Sequence, residues 1–384
     1  MPMVRTQIEA LIRGEHSTVN PCLRLAASAA ERCYEAGVRI RLHAYRSGRL
    51  HRHRLSCPVI SVGNLTVGGT GKTPFSQFLA ERLSQAGYRI AVISRGYLGR
   101  SERIGGIVSD GSRLLMGPRQ AGDEPFLLAL KLLKWRVPVL VGGDRVAVGQ
   151  FAVQRFKPDA VLLDDGFQHL RLMRDVDLVL MDAARPIGNG RLLPNGPLRE
   201  PVESLSRCSA IVATRCTPES VAGREKGGDM AVFDQKMTAG KPLFLSSFRP
   251  VFYRRSRLAH QEGAGSPGLE PMCGTELRGK QVFLFSGIAR NREFRLSVER
   301  QGCCICGGWE FRDHHAYSRQ DLLRIGEKAS QTGAEMLLTT EKDWVKVSPD
   351  HHFPLPLCVV GIETHMGPYW DRLREHLDER IDAF

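Results

Sequence analysis

PVISVGNLTVGGTGKTP, residues 58–74, decides the fold. The apolar run Val59 to Val62 reads as a buried strand, and Gly68, Gly69 and Gly71 make a glycine-rich turn. Lys72 and Thr73 follow, and Phe75 to Leu83 reads as an amphipathic helix. A strand, a glycine loop, Lys-Thr and a helix in that order form a phosphate-binding loop. Glycines let backbone N–H groups turn toward phosphate oxygens, and the helix N-terminus adds positive potential. Lys72 neutralises β/γ charge, and the Thr73 hydroxyl can hold Mg²⁺. Thr66, Val67, Gly68, Gly69, Thr70, Gly71, Lys72 and Thr73 are therefore the candidate nucleotide-binding residues. One position departs from G-x-x-x-x-G-K-[ST]: Thr66 stands where the first glycine belongs, and Gly63 lies three residues earlier. A chance glycine-rich turn is the alternative, which the flanking strand and helix oppose.

Outward from this stretch, the strand-like runs are Arg89–Ser94, Gly106–Ser109, Val137–Val141, Ala160–Leu163, Leu178–Met181 and Ala210–Thr214. Most are continuously apolar, as parallel strands buried on both faces require. Helical stretches at Pro74–Ala86, Pro125–Leu133 and Val146–Phe156 alternate with them. The pattern predicts a P-loop NTPase-like α/β fold, a doubly wound and mostly parallel sheet. Residues 217–280 are rich in glycine and charge, with one strand-like piece at Pro242–Phe248. A second, smaller α/β unit is expected from strands near Val282–Phe285, Glu335–Thr339 and Leu357–Gly361 and a helix near Ser318–Lys328. The expected divisions are 1–57 (basic helical segment), 58–240 (P-loop domain), 241–280 (linker) and 281–384 (C-terminal α/β domain).

At 384 residues two domains are the prior. No apolar run reaches 18 residues, and no charged head precedes an apolar segment at the N-terminus, so a cytoplasmic protein is expected. Ten cysteines in that setting read as free thiols, Cys303 and Cys306 among them on a buried strand. The net charge is +13, and residues 1–57 hold ten arginines against four glutamates. Such charge suits nucleic acid, an anionic membrane or a polyphosphate substrate. Residues 21–44 read as a basic amphipathic helix, with Leu23, Ala27, Ala30, Tyr34 and Val38 on one face. It can lie at a membrane interface or pack on the core with a solvated basic face.

Ala160 to Asp165 is an apolar strand ending in two carboxylates. That is the shape of a Walker-B element, with Asp164 and Asp165 as candidate metal residues beside Thr73. His169 sits at the same rim. Asp123 opens a helix in Gly-Asp-Glu-Pro and is either a helix cap or a general base for an alcohol. Arg145 follows a strand end, and Arg199 and Glu200 lie in Leu-Leu-Pro-Asn-Gly-Pro-Leu-Arg-Glu-Pro; they read as charge stabilisers or as surface ion pairs. Asp313-His314-His315 invites a metal reading that no further Cys or His at ligand spacing supports.

GNLTVGGTGKTP, SRGY (94–97), GDEP (122–125), DDGFQH (164–169), LLPNGPLREP (192–201), SGIARN (286–291), DHHAY (313–317) and TEKD (340–343) occur in this order. The set resembles the tetraacyldisaccharide 4′-kinase family from about Pro21 to Glu363, and the family's loop carries the same threonine at position 66. The resemblance implies two α/β domains joined by a two-stranded β-ribbon, with ATP and Mg²⁺ as cofactors. It implies phosphorylation of the 4′-hydroxyl of a tetraacyl glucosamine disaccharide 1-phosphate at the cytoplasmic face of the inner membrane. It assigns Lys72, Thr70 and Thr73 to the nucleotide, Asp164 and Asp165 to the reaction centre, and Asp123 to the base. A histidine of the DHH motif assists the base, His314 being taken over His315. Arg145, His169, Arg199 and Glu200 would line the site. It also favours the membrane reading of residues 21–44. A monomer is expected.

Two other classes compete. A P-loop GTPase or metallochaperone switch would carry N/T-K-x-D after a strand, and in Thr340-Glu-Lys-Asp343 the lysine falls one place late. A nucleic-acid ATPase would suit +13, but no aromatic-interleaved basic platform is present, so no nucleic-acid partner is expected.

Overall fold

The computed structural model describes residues 19–222, 240–255 and 268–384, with Gln7, residues 10–12, Phe233 and Thr238. Much of the 217–280 region lies outside the described residues. After helix α1 (Pro21–Arg46), the chain enters strand β1 (Val59–Asn64) and helix α2 (Lys72–Gln85). Then come β2 (Ile90–Ser94), β3 (Gly106–Ser109), α3 (Asp123–Leu132), β4 (Val139–Val141), α4 (Arg145–Phe156) and β5 (Ala160–Asp164). Strands β6 (Val176–Asp182), β7 (Ala210–Thr214) and β8 (Leu243–Leu245) complete an eight-stranded sheet in the order β3-β4-β2-β5-β1-β6-β7-β8. Every pairing in it is parallel except β3 with β4.

Period-two alternation builds its two cores. Ile60, Val62, Ala160 and Leu162 face one side with α2 and α3, while Val59, Val161 and Leu163 face the other with Val146 and Ala152 of α4. The sheet is doubly wound, as predicted. Gly63 has a packing role: a Cβ there would fall 2.4 Å from Cβ of Phe167. The strand glycine is what lets the Asp-Asp-Gly-Phe turn after β5 lie close against β1.

The second sheet uses β9 (Ser247–Arg255), β10 (Leu269–Met272), β11 (Gln281–Ser286), β12 (Cys304–Glu310), β13 (Met336–Thr340) and β14 (Leu357–His365) in the order β10-β9-β14-β13-β11-β12. Helices α5 (Asn291–Glu299) and α6 (Arg319–Gln331) belong to this part of the chain. Three expectations change. First, 241–280 is not a separate linker: β8 is an edge of the first sheet, and β9 and β10 belong to the second. The two-stranded ribbon is the stretch where Ser247–Arg249 of β9 pairs with Glu363–His365 of β14, beyond the register of β13. Second, 281–384 does not stay in one unit. Helix α7 (Tyr369–Ile381) packs Leu373, Leu377 and Ile381 into the core of the first sheet, because β14 runs back along β9 toward it. Third, β12 is an edge strand on which Cys304 is exposed, although Cys303 just before it is buried. Thiols at a sheet edge are only partly covered. Cys57, Cys208, Cys303, Cys304, Cys306 and Cys358 are free thiols.

Helix α3 is shared by the two units. Leu128, Ala129 and Leu132 pack in the first core, and Leu130 packs among Phe283, Phe285 and Leu337 of the second. No described helix is long and apolar enough to cross a membrane.

Candidate active site

The two units face each other across a cleft of about 1720 Å³. Val67 to Thr73 lie on its first wall. The loop is shaped by residues at both of its ends. Gly68 and Gly71 sit at positive φ of 107° and 86°. Gly71 is the residue before α2, and a Cβ there would meet Phe248 Cζ at 2.1 Å, so only glycine fits. Asn64 at the end of β1 braces the loop: its Nδ2 donates to Thr66 O (2.7 Å) and Thr70 Oγ1 (3.0 Å), and its Oδ1 accepts from Lys72 Nζ (3.2 Å). Thr214 Oγ1 donates to Thr70 O at 2.9 Å. Thr66 is buried and forms an isolated bridge with Leu198, so it supports the loop from below.

Asp164 and Asp165 end β5 next to this loop, and their environments differ. Asp164 is buried and accepts from Ser76 Oγ (2.9 Å) and Ser94 Oγ (3.2 Å). Burial, with Glu124 and Asp165 nearby, pushes its carboxyl up to about 6. Asp165 sits at φ 55°, an uncommon backbone for a residue with a Cβ. Lys72 lies 3.6 Å from its carboxylate and Arg199 Nη1 3.1 Å. Burial would raise this group, but Lys72 and Arg199 outweigh it and hold it below the usual carboxylate range.

Asp123 is the first residue of α3, one place past the capping position, which Gly122 holds. Its Oδ2 lies 3.2 Å from His314 Nδ1 and 3.6 Å from Lys346 Nζ. His314 comes from the second unit, at φ 60°. His315 turns the other way, to Asp321 at 3.2 Å. The two histidines of the DHH motif therefore do not converge on a metal. Arg145 lines the cleft, is 6% exposed, and donates to Gly143 O at 3.1 Å. No ion-pair carboxylate lies at it among the described residues, so its charge is presented to the cleft. His169 is also at the cleft. Burial, then Arg145 and Arg174, lower it to about 4, so it is neutral at physiological pH. Arg199 lines the cleft and donates to both Asp165 oxygens. Glu200 does not line it: buried at 2% exposure, it pairs with Arg207 at 2.8 Å, under Phe167.

Four participants escaped sequence reasoning. Glu124 Oε2 accepts from Thr73 Oγ1 at 3.2 Å, and its Oε1 from Lys342 Nζ at 3.0 Å. Lys342, Lys346 and Asn64 complete the set. The signal for Glu124 and Lys342 is present in GDEP and TEKD, but GDEP points first to Asp123, and TEKD is weighed only against a guanine-binding pattern. Asp343 of TEKD is fully buried and accepts from Tyr317 Oη, Gly287 N and Thr340 Oγ1, so it cannot read a nucleotide base.

The parallel sheet, its glycine loop and the carboxylates closing β5 define a P-loop NTPase fold with a second unit across the cleft. The family model for tetraacyldisaccharide-1-P 4′-kinase matches residues 23–382. The chain belongs to that family. It is 41% identical over 347 residues to the tetraacyldisaccharide 4′-kinase of Syntrophus aciditrophicus, covering 90% of this chain and 89% of the relative. It is 39% identical over 354 residues to that of an Anaeromyxobacter species, covering 92% and 90%. LpxK from Aquifex aeolicus, solved in complex with ATP, superimposes with a TM-score of 0.71 at 29% identity, over 94% of this chain and 99% of that one.

Proposed function

We propose that this chain transfers the γ-phosphoryl group of ATP to the 4′-hydroxyl of a tetraacyl glucosamine disaccharide 1-phosphate, a step of lipid A biosynthesis. The observation that carries the reading is the 3.2 Å contact of Asp123 with His314, one residue from Glu124, which binds the P-loop Thr73. A carboxylate next to a phosphate loop is where an alcohol must lose its proton. The backbone of Val67–Thr73 and Lys72 bind the phosphates, and Asp123 takes the acceptor proton as its oxygen bonds to phosphorus and ADP leaves. Arg145 and Arg199 offset charge at the rim. His169, neutral, serves as a hydrogen-bonding residue.

The hydroxyl of Thr73 and the carboxylates of Asp164 and Asp165 are hard oxygen donors and fit Mg²⁺, which is held by one or two carboxylates together with phosphate. When bound, Mg²⁺ spreads charge from the β- and γ-phosphates. The docked units hold His314 against Asp123 and would exclude water from the reacting groups. The kinase unit runs from β1 through β8 and takes in α7.

The acceptor's acyl chains hold it in a bilayer, at about 0.8 kcal/mol per buried CH₂. The enzyme, acting as a monomer, comes to the cytoplasmic face of the inner membrane through α1. Ala27, Ser28, Glu31 and Tyr34 face the protein, and Leu25 (76%) and Ile40 (70%) are exposed between arginines. The test is direct: purified protein, Mg²⁺, labelled ATP and the disaccharide 1-phosphate in detergent micelles. A labelled bisphosphate is expected; folded protein that gives none refutes the assignment.

A further inference from the structure

One end of the His314 imidazole is left unexplained by its contact with Asp123. On that side stands Lys342, in the helical turn that follows β13. Its Nζ lies 3.2 Å from His314 Nε2, 3.0 Å from Glu124 Oε1 and 3.4 Å from Asp313 Oδ1. An ammonium has three donors and no acceptor. Three acceptors stand around this one, one for each N–H. Burial works against the charge, but Glu124 and Asp313 outweigh it and hold Lys342 above the ordinary lysine range.

The tautomer of His314 follows from the donor count. The group within hydrogen-bond distance of Nε2 is the Lys342 ammonium, which only donates, while Asp313 Oδ2 stands off at 3.9 Å; Nε2 therefore carries the lone pair. The ring proton then sits on Nδ1 and is donated to Asp123 Oδ2 at 3.2 Å. Asp313 fixes the same residue from behind, its Oδ1 accepting from His314 N at 3.0 Å. That bond helps hold a non-glycine backbone at φ 60°.

Building on the kinase reading, we propose that Lys342 is a positioning residue. Its ammonium holds His314 as the Nδ1–H tautomer, aims that proton at Asp123, and links the pair to the phosphate loop through Glu124 and Thr73. Both side-chain contacts to Asp123, from His314 and from Lys346, fall on Oδ2. Oδ1 is the oxygen left for the acceptor hydroxyl. With Nδ1 already protonated and Nε2 covered by Lys342, the acceptor proton stops on Asp123, and His314 orients the base without relaying its proton. A chain of four contacts thus joins the second unit to the P-loop: Asp123–His314, His314–Lys342, Lys342–Glu124 and Glu124–Thr73.

The test begins with nitrogen NMR of the ¹⁵N-labelled full-length protein at about pH 8, above the histidine range. The His314 signals are assigned by their loss in His314→Gln. A protonated Nδ1 and a bare Nε2 are expected in the wild type, and averaged ring nitrogens in Lys342→Met. In micellar kinetics, Lys342→Met should lower kcat about 100-fold while the KM for ATP moves less than about threefold. Lys342→Arg, which keeps a cationic donor, should recover to within about tenfold of wild type. A ring proton on Nε2 in the wild type would overturn the proposal, and so would wild-type kcat in Lys342→Met. Should Lys342→Met fail to fold, the wild-type spectrum and the arginine variant still decide. The spectrum needs no lipid and no turnover, so an intact tautomer with no bisphosphate product would sink the kinase reading and leave this one standing.

Discussion

On the first wall of the cleft, the functional atoms come from residues close together in the chain, carried on the ends of parallel strands. Asn64, Thr70, Lys72 and Thr73 lie within ten residues, and Asn64 hydrogen-bonds to both Thr70 and Lys72. On the second wall they come from short connecting segments: His314 precedes α6, Lys342 sits in the helical turn after β13, and Lys346 lies just past that turn. Each of them also reaches a carboxylate across the cleft, as His314 does with Asp123, 191 positions away. The first wall is a local device that backbone geometry dictates. The second is a tertiary one, useful only when the units are docked. Substitutions on the first wall should therefore abolish phosphate handling, whereas those on the second should weaken an otherwise competent site.

The largest effects test that contrast directly. Lys72→Ala and Asp123→Ala should each lower kcat by about 10³-fold or more, and His314→Ala by about 10²-fold. All three should keep the far-UV circular dichroism of the wild type. Steady-state assays on micellar substrate measure the ranking. If Asp123→Ala retained near-normal turnover, its contact with His314 would be purely structural.

Next in size is the joint between the walls. Lys131 on α3 pairs with Glu341 at 2.5 Å, and the two side chains are only 14% and 8% exposed. Glu341 is packed so tightly that a Cβ on Gly361 would approach its Cδ to 2.4 Å. Removing one partner of a buried pair leaves an uncompensated charge and costs about 3–5 kcal/mol. Lys131→Ala should lower stability by about that much in urea denaturation, and Lys131→Met with Glu341→Met should recover more than half of it. A double variant as unstable as the single one would mean that packing, not charge, holds α3 to the second unit.

What the sequence disclosed follows the same division. Continuous apolar runs and the glycine loop marked the first sheet because each parallel strand is buried on both faces, which forces the signal into consecutive residues. The strand that completes the ribbon, the return of α7 to the first core and the role of Lys342 were not legible. Each depends on pairing or packing across more than a hundred residues, and no local period records it. Asp123 shows both sides of this. GDEP displayed a carboxylate at a helix start, where capping is the commoner role, and only its contact with His314 sets the capping role aside. Glu200 is the opposite case: beside Arg199 in sequence, it turns inward to pair with Arg207.

Helix α1 gives the third test, and the structure refines how to run it. Tyr34 Oη donates to Arg199 O at 2.8 Å, Glu31 binds Leu192 N and Asn195, and Arg41 reaches Gln168 O. Deleting the helix would disturb the first wall as well as any membrane contact. Leu25→Glu with Ile40→Glu changes only the exposed face. It should weaken binding to anionic vesicles about tenfold, since acidic groups oppose both insertion and headgroup attraction. Turnover on dispersed micellar substrate should change less than about twofold. Unchanged vesicle sedimentation would assign α1 a purely structural role.

The smallest effect concerns the histidine of the first wall. His169 and His314 both face the cleft, but His169 lies near Arg145 and Arg174 and His314 lies against Asp123. The folded His169 titrates at about 4, below the ordinary histidine value of about 6.5. Above the unfolded value both states are neutral, and the residue contributes no pH dependence. As pH falls from there toward about 4, the unfolded chain takes up the proton first, so stability is lost across that window and levels off below it. Asparagine keeps a hydrogen-bonding side chain and cannot titrate. His169→Asn should therefore show a shallower decline of its urea midpoint between about pH 6.5 and about pH 4.5 than the wild type, with the two curves parallel above about pH 7. Equal slopes in the acid window would mean that the folded protein accepts a charged His169, and that the arginines of the first wall do not exclude one.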